Sequence, residues 1–171
     1  PLARSASGRR LFEGWRPRKG KEIVGWKRKD KTLISGDGAQ SLQTGDETWR
    51  DYELSVYVTP IEGGSAMLAF RISNDKRYKY KLDFLLGLQA IAINKTDSTG
   101  GGKLSVVNYP LKHGQEYHVV IATRGASLTS YIDGKLVNQV TDHSLKSGAI
   151  GLSVWQNKTA FREPRIRIYN K

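Results

Sequence analysis

The chain has 171 residues, no cysteine and a formal net charge of +12 at pH 7. That length suits one domain with a sizeable core, and the lack of cysteine excludes disulfides, thiolate metal sites and a cysteine nucleophile. Residues 1–31 hold eleven Lys/Arg against three acids, a balance that favours an anionic partner such as an acidic polysaccharide, a nucleic acid or a membrane surface.

Residues 1–10 are small, polar and basic and are expected to form a flexible N-terminal segment. A single β-sandwich domain is expected over 11–171. Trp15 and Trp26 sit among glycines and charges, as anchoring aromatics of short strands or loops. Thr32 to Ser35 and Ser41 to Thr44 are short strand candidates, separated by the Gly36-Asp37-Gly38 turn. From Tyr52 the alternation is regular: Tyr52, Leu54, Val56 and Val58 face one way, and Pro60 is expected to stop the strand. After Gly63-Gly64, Ala66, Leu68, Phe70 and Ile72 are read as one face, with Met67, Ala69, Arg71 and Ser73 opposite. Tyr78, Tyr80, Leu82 and Phe84 then alternate with Lys79, Lys81 and Asp83.

The longest apolar run, Phe84 to Ile93, is broken by Gly87 and Gln89 and is too short to span a membrane. Leu88 to Asn94 reads as a strand, and Lys95 to Lys103, with three consecutive glycines, as a loop at a hairpin tip. A phosphate-cradling loop would need a helix and a Lys-Ser/Thr pair after it, which Gly100-Gly101-Gly102 lacks. Glu116 to Asp142 reads as three successive short strands. Asp133-Gly134 signals a type I′ turn, where both central residues need positive φ. Ala149 to Trp155 and Ala160 to Tyr169 complete an all-β chain of antiparallel meanders.

Placing the apolar sets inward leaves Arg71, Lys79, Lys81, Asp83, Ser153 and Trp155 on an outer face. Such a face can take a sugar: an indole ring packs on a pyranose, while Arg and Asp hydrogen-bond its hydroxyls. Gln156, just past Trp155, could add an amide contact. The bland alternative is a solvated sheet face with Trp155 covered by the N-terminal segment. His113, His118 and His143 lack ligand spacing, and no Gly-x-Ser-x-Gly elbow occurs. Asp51 and Glu53 are the one acid pair at same-face strand spacing, and neighbours on one strand more often form a solvated edge than flank a glycosidic bond. No metal site is expected, although calcium could use Asp37, Asp46, Asp97 or Asp142 with backbone carbonyls. Structural turn use is the stronger reading for each.

Taken in order, Leu11-Phe12-Glu13-Gly14-Trp15, Trp26, Leu42-Gln43-Thr44, Trp49 to Leu54, Phe70-Arg71, Tyr78 to Asp83, Ile132 to Lys135 and Phe161-Arg162 resemble the 3-keto-disaccharide hydrolase domain family. Related levan-binding carbohydrate-binding modules share the layout. The resemblance covers roughly residues 11–169. It implies a concanavalin A-like (laminin-G-like) jelly-roll sandwich of two antiparallel sheets, with a carbohydrate site on the concave sheet or its rim. By position it places Arg71 and Tyr78 to Asp83 on the family's site strands. Lys79 and Lys81 depart from the acidic and amide residues usual there, and Glu163 replaces the usual Asn of the closing strand.

The reading is a non-catalytic carbohydrate-binding domain whose site uses Arg71, Lys79, Lys81, Asp83, Trp155 and Gln156, with an anionic glycan favoured by the lysines and no cofactor. Two alternatives stand beside it: a glycoside hydrolase of the 3-keto-disaccharide type, and a basic interaction domain for an anionic polymer or protein. Because the chain begins at Pro1, it is expected to be a piece of a larger exported protein, extracellular or periplasmic.

Overall fold

The computed structural model describes residues 12–20 and 22–170, so the basic segment 1–10 lies outside the described residues. Fourteen strands follow one another: β1 (Arg16–Pro17), β2 (Trp26–Lys29), β3 (Thr32–Ser35), β4 (Leu42–Thr44), β5 (Asp51–Glu62), β6 (Ser65–Ile72), β7 (Lys79–Leu85), β8 (Ala90–Asp97), β9 (Gly100–Asn108), β10 (Tyr117–Arg124), β11 (Ser127–Ile132), β12 (Lys135–Thr141), β13 (Ala149–Ser153) and β14 (Lys158–Asn170). They form two seven-stranded antiparallel sheets, ordered β1-β4-β13-β6-β7-β8-β9 and β12-β11-β10-β5-β14-β3-β2. The single helical piece among the described residues is a 3-10 turn, Leu86–Leu88, and no helix is long and apolar enough to cross a membrane.

Period-two alternation decides which side chains meet between the sheets. Leu54, Val56 and Val58 of β5 and Val119 and Ile121 of β10 face Leu68, Phe70, Leu82, Phe84 and Ile91 of the first sheet, all fully or almost fully buried. Each such burial contributes roughly 1.5–3 kcal/mol. One polar network crosses this interior: Asn138 of β12 donates to the Ile91 carbonyl at 3.1 Å and to Ser105 Oγ at 2.9 Å, and accepts from Ser130 Oγ at 2.8 Å. At the β11–β12 hairpin, Asp133 has φ 50° and Gly134 φ 81°, the backbone of the expected turn.

Three local expectations are corrected. First, β5 continues through Pro60 to Glu62. The Pro60 carbonyl accepts from Gly114 N at 2.7 Å, on the β10 side, where β10 pairing has already ended at Val58, so the missing N–H leaves no ladder bond unmade. Second, the glycine-rich loop contracts to Ser98 and Thr99. Gly100, Gly101 and Gly102 pair with Asp97, Thr96 and Lys95 as the start of β9, and Asp97 Oδ1 closes the turn by accepting from Thr99 N at 2.8 Å. Third, β6 carries a bulge: between Ala149 and Gly151 β13 advances two residues while β6 advances three, Ile72 to Ala69. The extra residue re-aims the side chains beyond it. Arg71, with φ 47°, turns inward, and Ile72 joins Ala69 and Ala149 on the outside of the sheet. Gly148 lies against this bulge, where a Cβ would come within 2.4 Å of the Ile72 carbonyl oxygen, so only glycine fits.

Candidate functional site

The outer face of the first sheet follows from its registers. One row runs Gln43, Gly151, Ala69, Lys81, Asn94 and Lys103; the next runs Ser153, Met67, Asp83, Ala92 and Val106. Lys79 and Thr96 pair one step further along the strands. Lys79, Lys81 and Asp83 therefore share one face, as the alternation of β7 required.

Asp83 lies among these residues only 5% exposed. Asn94 Nδ2 donates to its Oδ2, while Asp83 Oδ1 and Asn94 Oδ1 have no partner. Burial pushes the Asp83 carboxyl above its ordinary value, opposed by Lys81, the Asn94 bond and Lys103. Lys79 is half-buried, and burial lowers its ammonium pKa, with Arg18 and Lys81 adding repulsion. Beside Lys79 the face dips into a shallow depression, floored by Ala69, Ile72 and Gly151 and rimmed by Arg18, Lys79, Gln43 and Ser153.

Trp155 and Gln156 stand in the turn after β13, beyond Ser153. Trp155 is 70% exposed, so the described residues among 12–31 do not cover it. The turn is fixed by Asn157 Nδ2 donating to the Ser65 carbonyl at 2.9 Å and by Val154 N donating to Ser41 Oγ at 2.9 Å. Gln156 has φ 49°, and its carbonyl oxygen would be 2.6 Å from a Cβ at Gly63.

Arg71 does not belong to this face. It is 1% exposed and donates to the carbonyls of Leu145 at 2.9 Å, Arg50 at 3.1 Å and Gly125 at 2.6 Å, with Asp51 Oδ1 at 3.8 Å. Its backbone N–H donates to Tyr52 Oη at 2.8 Å. It pins three loops at the end of β6 opposite Trp155, about 20 Å away along the strand, and cannot reach a sugar on the outer face.

The acid pair weighed from the sequence, Asp51 and Glu53, is taken up in structural bonds. Asp51 Oδ1 accepts from Gly125 N at 2.8 Å and Glu53 from Tyr169 Oη at 2.9 Å. Glu53 lies on the outer face of the second sheet and Asp83 on that of the first, so the sandwich separates them. Among the described strands of the first sheet, Asp83 is the one carboxylate facing outward. Asp46 and Asp142 also serve structure: Asp46 accepts from Thr48 N at 2.8 Å, and Asp142 from Tyr80 Oη at 2.5 Å and Lys95 Nζ at 3.2 Å. Burial works to raise the Asp142 carboxyl, but these bonds and Ser144 hold it at about 2. His118, on the second sheet, is 2.8 Å from Ser55 Oγ and lies against the Tyr57 ring, centroids 4.7 Å apart.

Sequence reasoning missed Gln43, Asn94 and Arg18. Gln43, between Leu42 and Thr44, carried a short alternation signal, and Asn94 follows from extending β8 past Ala92 on the same face. Arg18 carried none.

The family described as the 3-keto-alpha-glucoside-1,2-lyase-like domain matches residues 5–167. An extracellular exo-alpha-L-arabinofuranosidase of Streptomyces chartreusis is 28% identical over 122 residues, 68% of this chain. The match spans 15% of that enzyme's length. Among solved structures, the carbohydrate binding module CBM66 from Bacillus subtilis superposes with a TM-score of 0.75 at 20% identity, covering 88% of this chain and 93% of the module. Bacillus licheniformis beta-glucanase superposes with a TM-score of 0.69 at 12% identity, covering 92% and 94%. The fold is thus the concanavalin A-like jelly roll.

Proposed function

The chain belongs to the 3-keto-alpha-glucoside-1,2-lyase-like domain family, and from that premise we propose that it is a carbohydrate-binding module whose site is the outer face of its first sheet. The observation that carries this reading is the outer face itself, where a depression with amide, hydroxyl and cationic groups around a small apolar floor shares the sheet surface with the Asp83 carboxylate and Asn94. Sugars present the matching pattern of apolar ring faces and paired hydroxyls. Lys79, Lys81, Gln43 and Ser153 supply donors. Asp83 and Asn94 supply acceptor oxygens still unpartnered in the fold, which a hydroxyl would satisfy. Trp155, open at the end of the face, supplies an aromatic platform. A double-displacement glycosidase needs two facing carboxyls, and the outward strands here supply one. The match to a small part of a much longer extracellular enzyme supports a role as one module of an exported glycan-processing protein.

A glycan array followed by calorimetry tests this. Binding should be found, and Asp83→Asn should weaken it at least tenfold. An array without hits on neutral or acidic glycans would sink the reading.

The family match supports a second reading, cleavage of 3-keto-glycosides. Asp83, its carboxyl raised by burial, would then take the C2 proton beside the 3-ketone, with Lys81 polarising the carbonyl and the glycosidic oxygen leaving from C1. Incubation with 3-keto-glucosides decides between them: product formation abolished by Asp83→Asn would establish catalysis, and no product would leave binding alone.

A further inference from the structure

The rim of the depression is charged on one side only. Arg18 and Lys76 hold each other across its mouth: Lys76 Nζ donates to the Arg18 carbonyl at 2.6 Å, and an Arg18 guanidinium nitrogen donates to the Lys76 carbonyl at 3.4 Å. Arg18 N also donates to the Ser41 carbonyl at 2.9 Å. These bonds clamp the strap before β2 to the β6–β7 turn and, among the described residues, leave both cations bonded only to backbone oxygens. Lys79 is seated behind them, half-buried, with Lys81 next to it on the same strand face.

Among the described residues, no ion pair joins Arg18, Lys76, Lys79 or Lys81 to a carboxylate. Elsewhere the chain supplies partners for such cations. Lys95, only 19% exposed, lies between Asp97 at 2.9 Å and Asp142 at 3.2 Å. Residues 1–11 contain no Asp or Glu, so that segment has no acidic side chain to bring. Half-buried Lys79 is partly desolvated and repelled by Arg18 and Lys81, and an anion placed beside it relieves both costs.

We infer that the depression is a subsite for an acidic substituent on the bound glycan, a carboxylate or sulfate ester, held by Arg18 and Lys79 with the sugar ring over Ala69 and Ile72. The inference rests on the sugar-binding reading above and names its ligand class. The Arg18 fork matches two oxygens of either group, and Lys79 adds a charge from within the face.

The test is calorimetry with oligosaccharides of matched backbone in neutral, uronic-acid and sulfated forms, against the wild type, Lys79→Met and Arg18→Gln. The wild type should bind at least one acidic form tenfold or more tightly than the neutral form. Which acid gains distinguishes carboxylate from sulfate. In both variants that preference should fall below threefold; Lys79→Met, which also loses a sugar donor, should weaken the neutral form too, whereas the loss in Arg18→Gln should be confined to the acidic forms. Adding the acidic oligosaccharide should also move the Lys79 ammonium titration to higher pH, read by NMR on the intact protein. Equal binding of neutral and acidic forms would overturn the subsite and leave the sugar face standing. A preference retained in both variants would place the acid elsewhere and overturn it too. No binding in any arm would overturn both readings.

Discussion

On the outer face of the second sheet, Arg162 is held by Glu116 at 2.8 and 3.0 Å, touches Glu163 at 3.1 Å and lies over the Tyr57 ring at 3.9 Å. Glu163 is shared with Lys31 at 2.8 Å. Arg124 sits 3.5 Å over the Tyr169 ring, whose hydroxyl donates to Glu53. On the outer face of the first sheet, Lys79, Lys81 and Lys103 share the strands with Asp83 alone, and Asp83 is buried with one oxygen unpartnered. These charges of the second face are satisfied within the chain, whereas the first leaves groups of both signs waiting. A partner recognised by polar contacts gains most where the protein has not already closed its own network.

The sharpest break in this contrast comes from a residue on neither face. Arg71→Met removes the donor to three buried carbonyls and should cost about 3–5 kcal/mol. Urea unfolding should show it, without a change of glycan specificity at temperatures where the variant remains folded. Trp155→Ala should behave in the opposite way, weakening oligosaccharide binding by about 1–3 kcal/mol and changing stability by less than about 0.5 kcal/mol.

Asp83→Asn separates binding from stability through pH. Because burial raises the folded Asp83 pKa above its ordinary 3.8, its contribution to stability is full below that value and is lost as pH rises through the raised one. Unfolding curves across this window should show the loss in the wild type and not in Asp83→Asn, which should be no less stable than the wild type at pH 7. On the second sheet, Glu116→Gln should cost at most about 1 kcal/mol, as an exposed ion pair does, and leave glycan binding unchanged in calorimetry.

Much of this contrast was legible in the residues. The strict alternation of Tyr80, Leu82 and Phe84 against Lys79, Lys81 and Asp83 places the last three outward, and Asp133-Gly134 announces its hairpin. Arg71 was misplaced because one bulge residue reverses the facing of everything beyond it. Only a faint signal marks it: from Ala66 to Ile72 apolar residues occupy both parities, as they do in a strand covered on both sides. Pro60 misled because its cost depends on whether a neighbour flanks that side, which pairing decides and local sequence does not. Arg18 reaches the rim through bonds to Ser41 and Lys76, contacts made by tertiary placement of a strap with little periodicity of its own.

Ligand should meet the first sheet and not the second. Backbone and side-chain NMR shifts, followed while titrating an oligosaccharide found on the array, address it directly. Perturbations are expected at Met67, Lys79, Lys81, Asn94, Ser153 and Trp155, with Tyr57, His118 and Arg162 unmoved. Perturbations centred on Tyr57, His118 and Arg162 would contradict it.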